Sequence, residues 1–194
     1  KNPAAAEFLR NTSEAAAELL GAKTESEALI QNVLAPYPTE HPATFTLKNG
    51  ETVTIRPFTP EDAEAKQQFV RNLSPQARYT RFMTHTNELP IPTLARFSKL
   101  DYHSEAAWTA RNSDDLIVAI SRFSRINRNE CEFGITLAEN VRGKGLAAEM
   151  MKLIIQSATQ QGYRVMSAQI LKSNTPMLKL AEKSGFTITP SEED

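Results

Sequence analysis

The segment 131–158 constrains the fold of this chain more than any other. Apolar residues alternate with polar or small ones over 131–137, a period of two that is typical of a strand with one apolar face. Glycines follow at Gly143 and Gly145, and apolar residues then recur at helical spacing over 150–158. The segment therefore predicts a strand, a glycine turn and a helix in immediate succession.

The start of that helix predicts an anion-binding site. The first backbone N–H groups of a helix are unpaired and carry partial positive charge, and glycines let a phosphate approach them closely. Arg142 and Lys144 add formal positive charge. The nucleotide P-loop pattern and the dinucleotide fingerprint are both missing. The glycines alone leave two interpretations open, a phosphate or pyrophosphate site and a tight turn without a ligand.

Composition narrows the class of protein. The chain has 194 residues, of which 40% are hydrophobic and 23% charged, as in a soluble globular domain with an appendage. A net charge of −1 gives no basic excess for a nucleic-acid partner, and no apolar run approaches the length of a membrane span. The single cysteine, Cys131, excludes an internal disulfide and predicts a cytoplasmic location. Lys1 and the acidic stub at 191–194 suggest that both ends continue in a longer polypeptide.

Two domains are predicted. Residues 1–43 form a helical appendage with a Pro-rich linker, because an Ala- and Leu-rich stretch is followed by three prolines over 36–42. This appendage could pack on the main domain, form a homo-oligomer, or dock a partner. Residues 44–194 form the main domain, for which we expect a hairpin, three helices, and strands over 106–110 and 116–123 before the segment 131–158. A strand over 165–171, a helix ending at Gly185 and a last strand from Phe186 follow.

Short motifs in this order resemble one family. Arg142-x-x-Gly145-x-Ala147 resembles the Arg/Gln-x-x-Gly-x-Gly/Ala signature of the GNAT superfamily of N-acetyltransferases. The Asn-x-x-Met of 174–177 and the Gly-Phe of 185–186 resemble the family's last motif. The resemblance implies an α+β fold, with a mixed, mostly antiparallel sheet flanked by helices, and acetyl-CoA as cosubstrate without a metal. The family closes its sheet with one more strand beyond about 188, which is in doubt in this chain.

Finer matches narrow the resemblance. The segments 54–57 and 73–82, with Glu132-Phe133, look like the bacterial protein lysine acetyltransferases that modify acyl-CoA synthetases. The resemblance thus implies transfer of an acetyl group to a protein lysine, such as one of an acyl-CoA synthetase. Acetylation of a small amine or a protein N-terminus, and a module that senses acyl-CoA without turnover, are the alternatives.

The resemblance also implies a set of site residues. Backbone groups of one strand would hold the pantetheine arm, amides of the glycine turn would hold the pyrophosphate, and an asparagine would contact the pantetheine or the amine. In that order these residues are Ile135, Thr136 and Leu137; Arg142, Gly143, Lys144, Gly145, Leu146, Ala147 and Ala148; and Asn174. Arg78, Tyr79 and Arg81 would flank the acceptor groove and contact a protein substrate or a ribose phosphate, or form a solvated face instead.

A lysine ammonium must lose a proton before it can attack a thioester, and a carboxylate is a suitable acceptor. Glu132 is the predicted base. It lies on the face of the strand opposite Phe133 and Ile135, and the resemblance to the lysine acetyltransferases implies a base at this position, ten residues before Arg142. The alternatives are a solvated sheet residue or a salt-bridge partner at Glu132. Glu130 and Glu139 are rival bases. The tyrosine that often protonates the leaving thiolate in this family is replaced by Ala181, which leaves serine or water.

Overall fold

The computed structural model describes residues 43–97 and 100–190. Within these ranges one sheet contains six strands, and their order across the sheet is their order along the chain. The strands are β1 (Ala43–Thr46), β2 (Thr52–Pro57), β3 (Glu105–Arg111), β4 (Ile117–Arg125), β5 (Glu130–Leu137) and β6 (Val165–Ser167). The helices are α1 (Ala63–Asn72), α2 (Pro75–Phe82), α3 (Ile91–Phe97), α4 (Leu146–Gln160) and α5 (Thr175–Lys183). The helices predicted over 3–34 lie outside the described residues.

Neighbouring strands are antiparallel from β1 to β5, whereas β5 and β6 are parallel. The parallel pair follows from the connection, because α4 carries the chain from the end of β5 back to the start of β6. The predicted α+β class with a mostly antiparallel sheet is confirmed.

Helices cover both faces of this sheet. On one face α4 buries Met150, Met151 and Ile154 completely against a core that includes Phe123 and Phe133. On the other face a second cluster joins α1 and α2 to β4. The alternation predicted for β5 is observed, because Phe133, Ile135 and Leu137 are buried while the residues between them are exposed or half-buried. Each face of β5 therefore has a separate role.

Local signals set the helix ends. The Ser74 Oγ accepts a hydrogen bond from the Ala77 N–H at 3.1 Å and caps α2, with Pro75 at the first helical position. At the end of α5, Gly185 adopts a φ of +91°. The Phe186 N–H then donates to the Ala181 oxygen at 3.0 Å, which is half of a Schellman motif.

The last part of the chain differs from the prediction. β6 ends at Ser167, not at residue 171. No strand follows it in the described part of the chain, so the prediction of a strand from Phe186 is wrong there. The Phe186 ring instead packs 5.1 Å from the Phe133 ring, centroid to centroid. Phe186 therefore serves as the apolar contact that follows the helix cap, and not as a residue of a ladder.

A buried carboxylate fastens α1 to the sheet. Asp62 is 4% exposed, and it accepts hydrogen bonds of 2.7 Å from both terminal nitrogens of Arg56, from Arg111 and from the Thr59 N–H. Burial tends to raise the pKa of Asp62, but the hydrogen bonds from Arg56 and Thr59 and the two arginine charges outweigh it and hold the pKa below its usual value. Asp62 thus joins β2 and β3 to the start of α1.

We predict that Asp62→Asn destabilises the domain by roughly 3 kcal/mol, because Arg111 is buried and would lose its carboxylate. The folded pKa lies below the unfolded value, so the stabilisation by Asp62 is present above about pH 4 and is lost as the pH falls through the folded pKa. Urea unfolding from pH 7 to pH 3 measures both effects. Asp114→Asn, in an exposed turn, is the control. Equal acid sensitivity of the wild type and Asp62→Asn would contradict this account.

Candidate functional site

The two parallel strands separate halfway along the sheet. Cα pairing between β5 and β6 covers only Glu130–Glu132 and Val165–Ser167, whereas β5 stays paired with β4 as far as Leu137. A cavity of about 280 Å³ begins where pairing stops. Its walls come from 132–135 of β5, 168–170 after β6, the end of α2 and the start of α5. A gap of this kind gives a ligand access to unpaired strand backbone.

Alternation decides which backbone groups face the gap. The Ala138 N–H donates to the Val118 oxygen of β4 at 2.8 Å, so every second residue back along β5 also directs its N–H and C=O at β4. Thr136 is one of these, whereas the backbone groups of Ile135 and Leu137 point toward the gap. Of the three residues predicted to hold a pantetheine arm, the strand geometry thus favours Ile135 and Leu137. The Thr136 side chain lines a second cavity.

The glycine turn has the geometry that an anion site requires. Gly143 and Gly145 have φ values of +73° and +93°, a region that favours glycine. Gly145 is the N-cap of α4 and provides no side-chain cap for the amides of the first turn. Leu146 is completely buried and anchors the helix start, while Ala148 is exposed. The residues fit a pyrophosphate group, because the amides are unobstructed by a capping side chain.

The two basic residues of the turn already have contacts. Lys144 Nζ lies 3.0 Å from a carboxylate oxygen of Glu51. Arg142 donates to the Leu137 oxygen at 3.1 Å and lies 3.6 Å from Glu139. These contacts hold the turn against Glu51, which precedes β2, and against the end of β5. They also place both side chains near the start of α4.

Lys48 is a basic residue at this turn that the sequence reasoning missed. Its N–H donates to the Lys144 oxygen at 3.1 Å. Its side chain lies over Gly145, where a Cβ would be 3.7 Å from the Lys48 Cε. The contact joins the hairpin of β1 and β2 to a turn almost a hundred residues later, so no local pattern could predict it.

Glu132 stands at the point where the strands separate. It is exposed, it lines the cavity between them, and it lies on the face of β5 that also carries Gly134 and Thr136. Its two rivals have structural contacts. Glu130 accepts from the Ser167 hydroxyl at 3.2 Å, and Glu139 accepts from the Ser74 N–H at 3.2 Å. Glu132 is thus the acid that is best placed to reach a ligand in the gap.

Arg81 separates the gap from the second cavity and lines both of them. Its guanidinium lies directly over Gly134, where a Cβ would be only 2.7 Å from the Arg81 Cζ. Burial, and next the charge of Arg122, lower the pKa of Arg81 to about 10, although the Glu132 carboxylate raises it. A side chain at position 134 would displace this guanidinium from the strand.

The three residues predicted to flank the acceptor have different surroundings. Of these three, Arg81 is the one that lines the two cavities. Arg78 is 9% exposed and donates to the Arg71 and Leu73 oxygens and to Asn87. Arg78 therefore fastens the turn between α1 and α2, contrary to the prediction of a substrate-facing side chain. Tyr79 stacks on His85 with 4.9 Å between the ring centroids.

The other candidate nucleophilic and basic side chains, those of Cys131 and His103, are buried or make structural contacts. Cys131 is completely buried, and burial, followed by the charge of Glu130, raises the pKa of its thiol to about 11. His103 contacts Gln161 and Arg125. Asn174 lines the gap and caps α5, since its side chain accepts from the Met177 N–H.

Among the described residues no three metal-ligating side chains gather, and no helix there is long and apolar enough to cross a membrane.

Comparison with known proteins decides the family. The model of the acetyltransferase (GNAT) domain matches residues 52–187. The chain belongs to the GNAT acetyltransferase family. It is an acetyl-CoA-dependent N-acetyltransferase, since members of this family take the acetyl group from acetyl-CoA. The glycine turn and the separated strands lie within the matched residues.

Individual relatives agree with this assignment. An acetyltransferase from Pseudomonas aeruginosa is 32% identical over 145 residues, which cover 73% of this chain and 78% of that protein. The acetyltransferase Pat of Mycolicibacterium smegmatis is 26% identical over 150 residues, and the match spans 74% of this chain but only 44% of that protein. The solved GNAT domain of S. lividans PAT superposes with a TM-score of 0.76 at 27% identity, covering 82% of this chain and 95% of that domain.

We predict that Gly145→Ala weakens acetyl-CoA binding by about tenfold, because a left-handed φ strains an alanine by roughly 1 kcal/mol and shifts the amides of the turn. Isothermal titration calorimetry with acetyl-CoA measures this. Gly162→Ala is the matched control, with a φ of +86° at the other end of α4 and no atom within 4 Å of the added Cβ. The two variants should lose similar stability. Equal affinities in both would exclude the turn as the pyrophosphate site.

Proposed function

We propose that this acetyltransferase modifies a lysine side chain of a protein, and that the acceptor is an acyl-CoA synthetase. The observation that carries the proposal is the position of Glu132, an exposed carboxylate lining the cavity where β5 and β6 separate. The acceptor class rests on the resemblance of the segments 54–57 and 73–82 to bacterial protein lysine acetyltransferases.

The cosubstrate is proposed to lie along the gap. Its pyrophosphate would accept hydrogen bonds from amides of 142–148, next to the charge of Lys48. Its pantetheine arm would lie alongside β5 like a short strand, paired with the backbone of Ile135 and with the N–H of Leu137, whose oxygen accepts from Arg142. Asn174 would contact the arm or the amine from the other wall. This path leads to the wall at Gly134, beside Glu132.

Glu132 would then act as a general base. The lysine ammonium gives a proton to the Glu132 carboxylate, directly or through water, and the free amine attacks the thioester carbon. A C–N bond forms and the C–S bond breaks. The nitrogen gives up its second proton through water, and coenzyme A leaves as a thiolate that takes up that proton. The buried thiol of Cys131, with its raised pKa, supports direct transfer, because such a group is a poor acetyl carrier.

Two further parts of the proposal concern the environment of the enzyme. A free, buried cysteine is consistent with a reducing cytoplasm. The predicted role of residues 1–43 in a homo-oligomer or partner contact stays a prediction, because those residues lie outside the described structure.

Glu132→Gln tests the base. We expect the rate of coenzyme A release, with acetyl-CoA and an acyl-CoA synthetase as substrates, to fall by about two orders of magnitude, because an amide cannot take the proton. Acetyl-CoA affinity should stay within about threefold, since the base acts on the amine. Glu130→Gln, two residues earlier on the same face and held by Ser167, is the matched control.

The outcomes separate the rival functions. A rate in Glu132→Gln equal to that of the wild type would remove Glu132 from the mechanism. Turnover with small amines or N-terminal peptides but not with the synthetase would overturn the acceptor class. Tight acetyl-CoA binding without turnover on any acceptor would indicate a sensor module.

A further inference from the structure

A second cavity lies on the far side of Arg81 from the gap between the strands. It has a volume of about 300 Å³ and is lined by α1, the end of α2, the loop to α3, the start of α3, and the faces of β4 and β5 that point away from α4. It shares Arg81, Phe82 and Gly134 with the first cavity. The two cavities therefore meet at the wall that Gly134 forms beneath the Arg81 guanidinium.

Three cationic side chains from three separate elements converge on this cavity. Lys66 comes from α1, Arg81 from α2 and Arg122 from β4. Lys66 is only 5% exposed, and its Nζ lies 5.6 Å from the centroid of the Phe58 ring. Four threonines also line the cavity, Thr84, Thr86, Thr93 and Thr136, while apolar side chains such as those of Phe69, Val70 and Leu89 form the larger part of its surface.

The acidic groups near these cations are fewer. The negative charge of Glu105 tends to raise the pKa of Lys66 and of Arg122, and Glu105 is also ion-paired with Arg96 of α3. Glu132 acts on Arg81 and Arg122 from the neighbouring cavity. Neither Glu105 nor Glu132 lines the second cavity. Among the described residues 43–97 and 100–190, the side chains that line it include three cations and no carboxylate.

The three basic side chains also repel one another. Burial, and then the charges of Arg122 and Arg81, hold the pKa of Lys66 well below its usual value, against the opposing effect of Glu105. An anion placed among the three groups would relieve this repulsion and would gain charge-assisted hydrogen bonds from the guanidinium groups. A carboxylate is the anion of suitable size to sit beside a guanidinium in a fork-to-fork arrangement.

In the proposed acyl transfer, the acyl group of the thioester is a group that could carry such an anion. In the site proposed above, coenzyme A enters along the gap and the amine is deprotonated at Glu132. Both of these lie on the first cavity, which shares Gly134 with the second cavity. An acyl chain that extended from the thioester past Gly134 would therefore enter the second cavity. A cationic cavity is also a poor place for an incoming ammonium. The occupant is therefore more consistent with the acyl group than with the acceptor.

We propose that the second cavity is an acyl subsite, and that the enzyme takes acyl-CoA thioesters whose acyl group ends in a carboxylate. Arg122 and Lys66 bind the carboxylate, with Arg81 at the entrance. The inference rests on the proposed position of the cosubstrate. The chemistry is balanced as for acetyl transfer: the amine nitrogen bonds to the acyl carbon, the C–S bond breaks, and the terminal carboxylate stays unchanged in the amide product.

The test compares succinyl-CoA with butyryl-CoA, which has a methyl group in place of the terminal carboxylate. Binding is measured by calorimetry on the whole chain without an acceptor, so the result does not depend on the identity of the acceptor or on Glu132. We expect the wild type to bind succinyl-CoA at least about tenfold more tightly, because only its terminal carboxylate can accept charge-assisted hydrogen bonds from the basic side chains.

Arg122→Gln should lower this preference by about tenfold or more, and Lys66→Met should lower it in the same direction. Arg71→Gln removes a charge from an exposed site on α1 and is the control that should keep the preference of the wild type. Arg122→Lys keeps the charge without the planar fork, and it should retain part of the preference if Arg122→Gln fails to fold.

Equal affinities of the wild type for the two thioesters would overturn the proposal, as would a preference that survives both Arg122→Gln and Lys66→Met. A third result would also overturn it: no thioester preference, but faster acetylation of peptides with glutamate beside the lysine than of peptides with glutamine there. That result would assign the cavity to the acceptor. Lysine acetylation from acetyl-CoA is measured separately, so it can stand when this inference fails.

Discussion

The separation of β5 from β6 is the constraint on which the site depends. Three Cα pairs hold the two strands together and then pairing stops, while β4 pairs with β5 from Cys131 to Leu137. β5 is thus rigid on one edge and open on the other. The buried face of β5 packs on α4, and the turn after β5 begins α4. One strand therefore positions the unpaired backbone, the helix start and Glu132 with respect to each other.

Arg81 and Gly134 add a second organising contact. Because position 134 lacks a side chain, a guanidinium can lie on the strand and divide the space above it into two cavities. One cavity contains Glu132 and the open strand edge, and the other contains the cations of α1 and β4. A carboxylate thus lies on one side of this short piece of backbone and two further basic side chains lie on the other, with Arg81 between them.

Local patterns predicted the elements that local physics determines. The period of β5, the cap at Ser74 and the glycine ends of the helices were all readable, because each depends on residues within a few positions. The site was only partly readable. Glu132 and the glycine turn follow from one segment, but Lys48 over Gly145, the buried position of Arg78 and the convergence of Lys66 with Arg122 depend on contacts between distant segments. The strand predicted over 165–171 is too long, because the sequence of this segment does not show where β6 separates from β5.

The burial of Cys131 gives the protein an internal reporter. It is the single cysteine of the chain, and its side chain lies in the core on the strand that borders the gap. A thiol reagent can reach it only when β5 and α4 part, so its rate of labelling measures how often this part of the core opens. A ligand that bridges β5 and the start of α4 would slow the labelling. The chain therefore contains a natural probe of site opening that needs no engineered label.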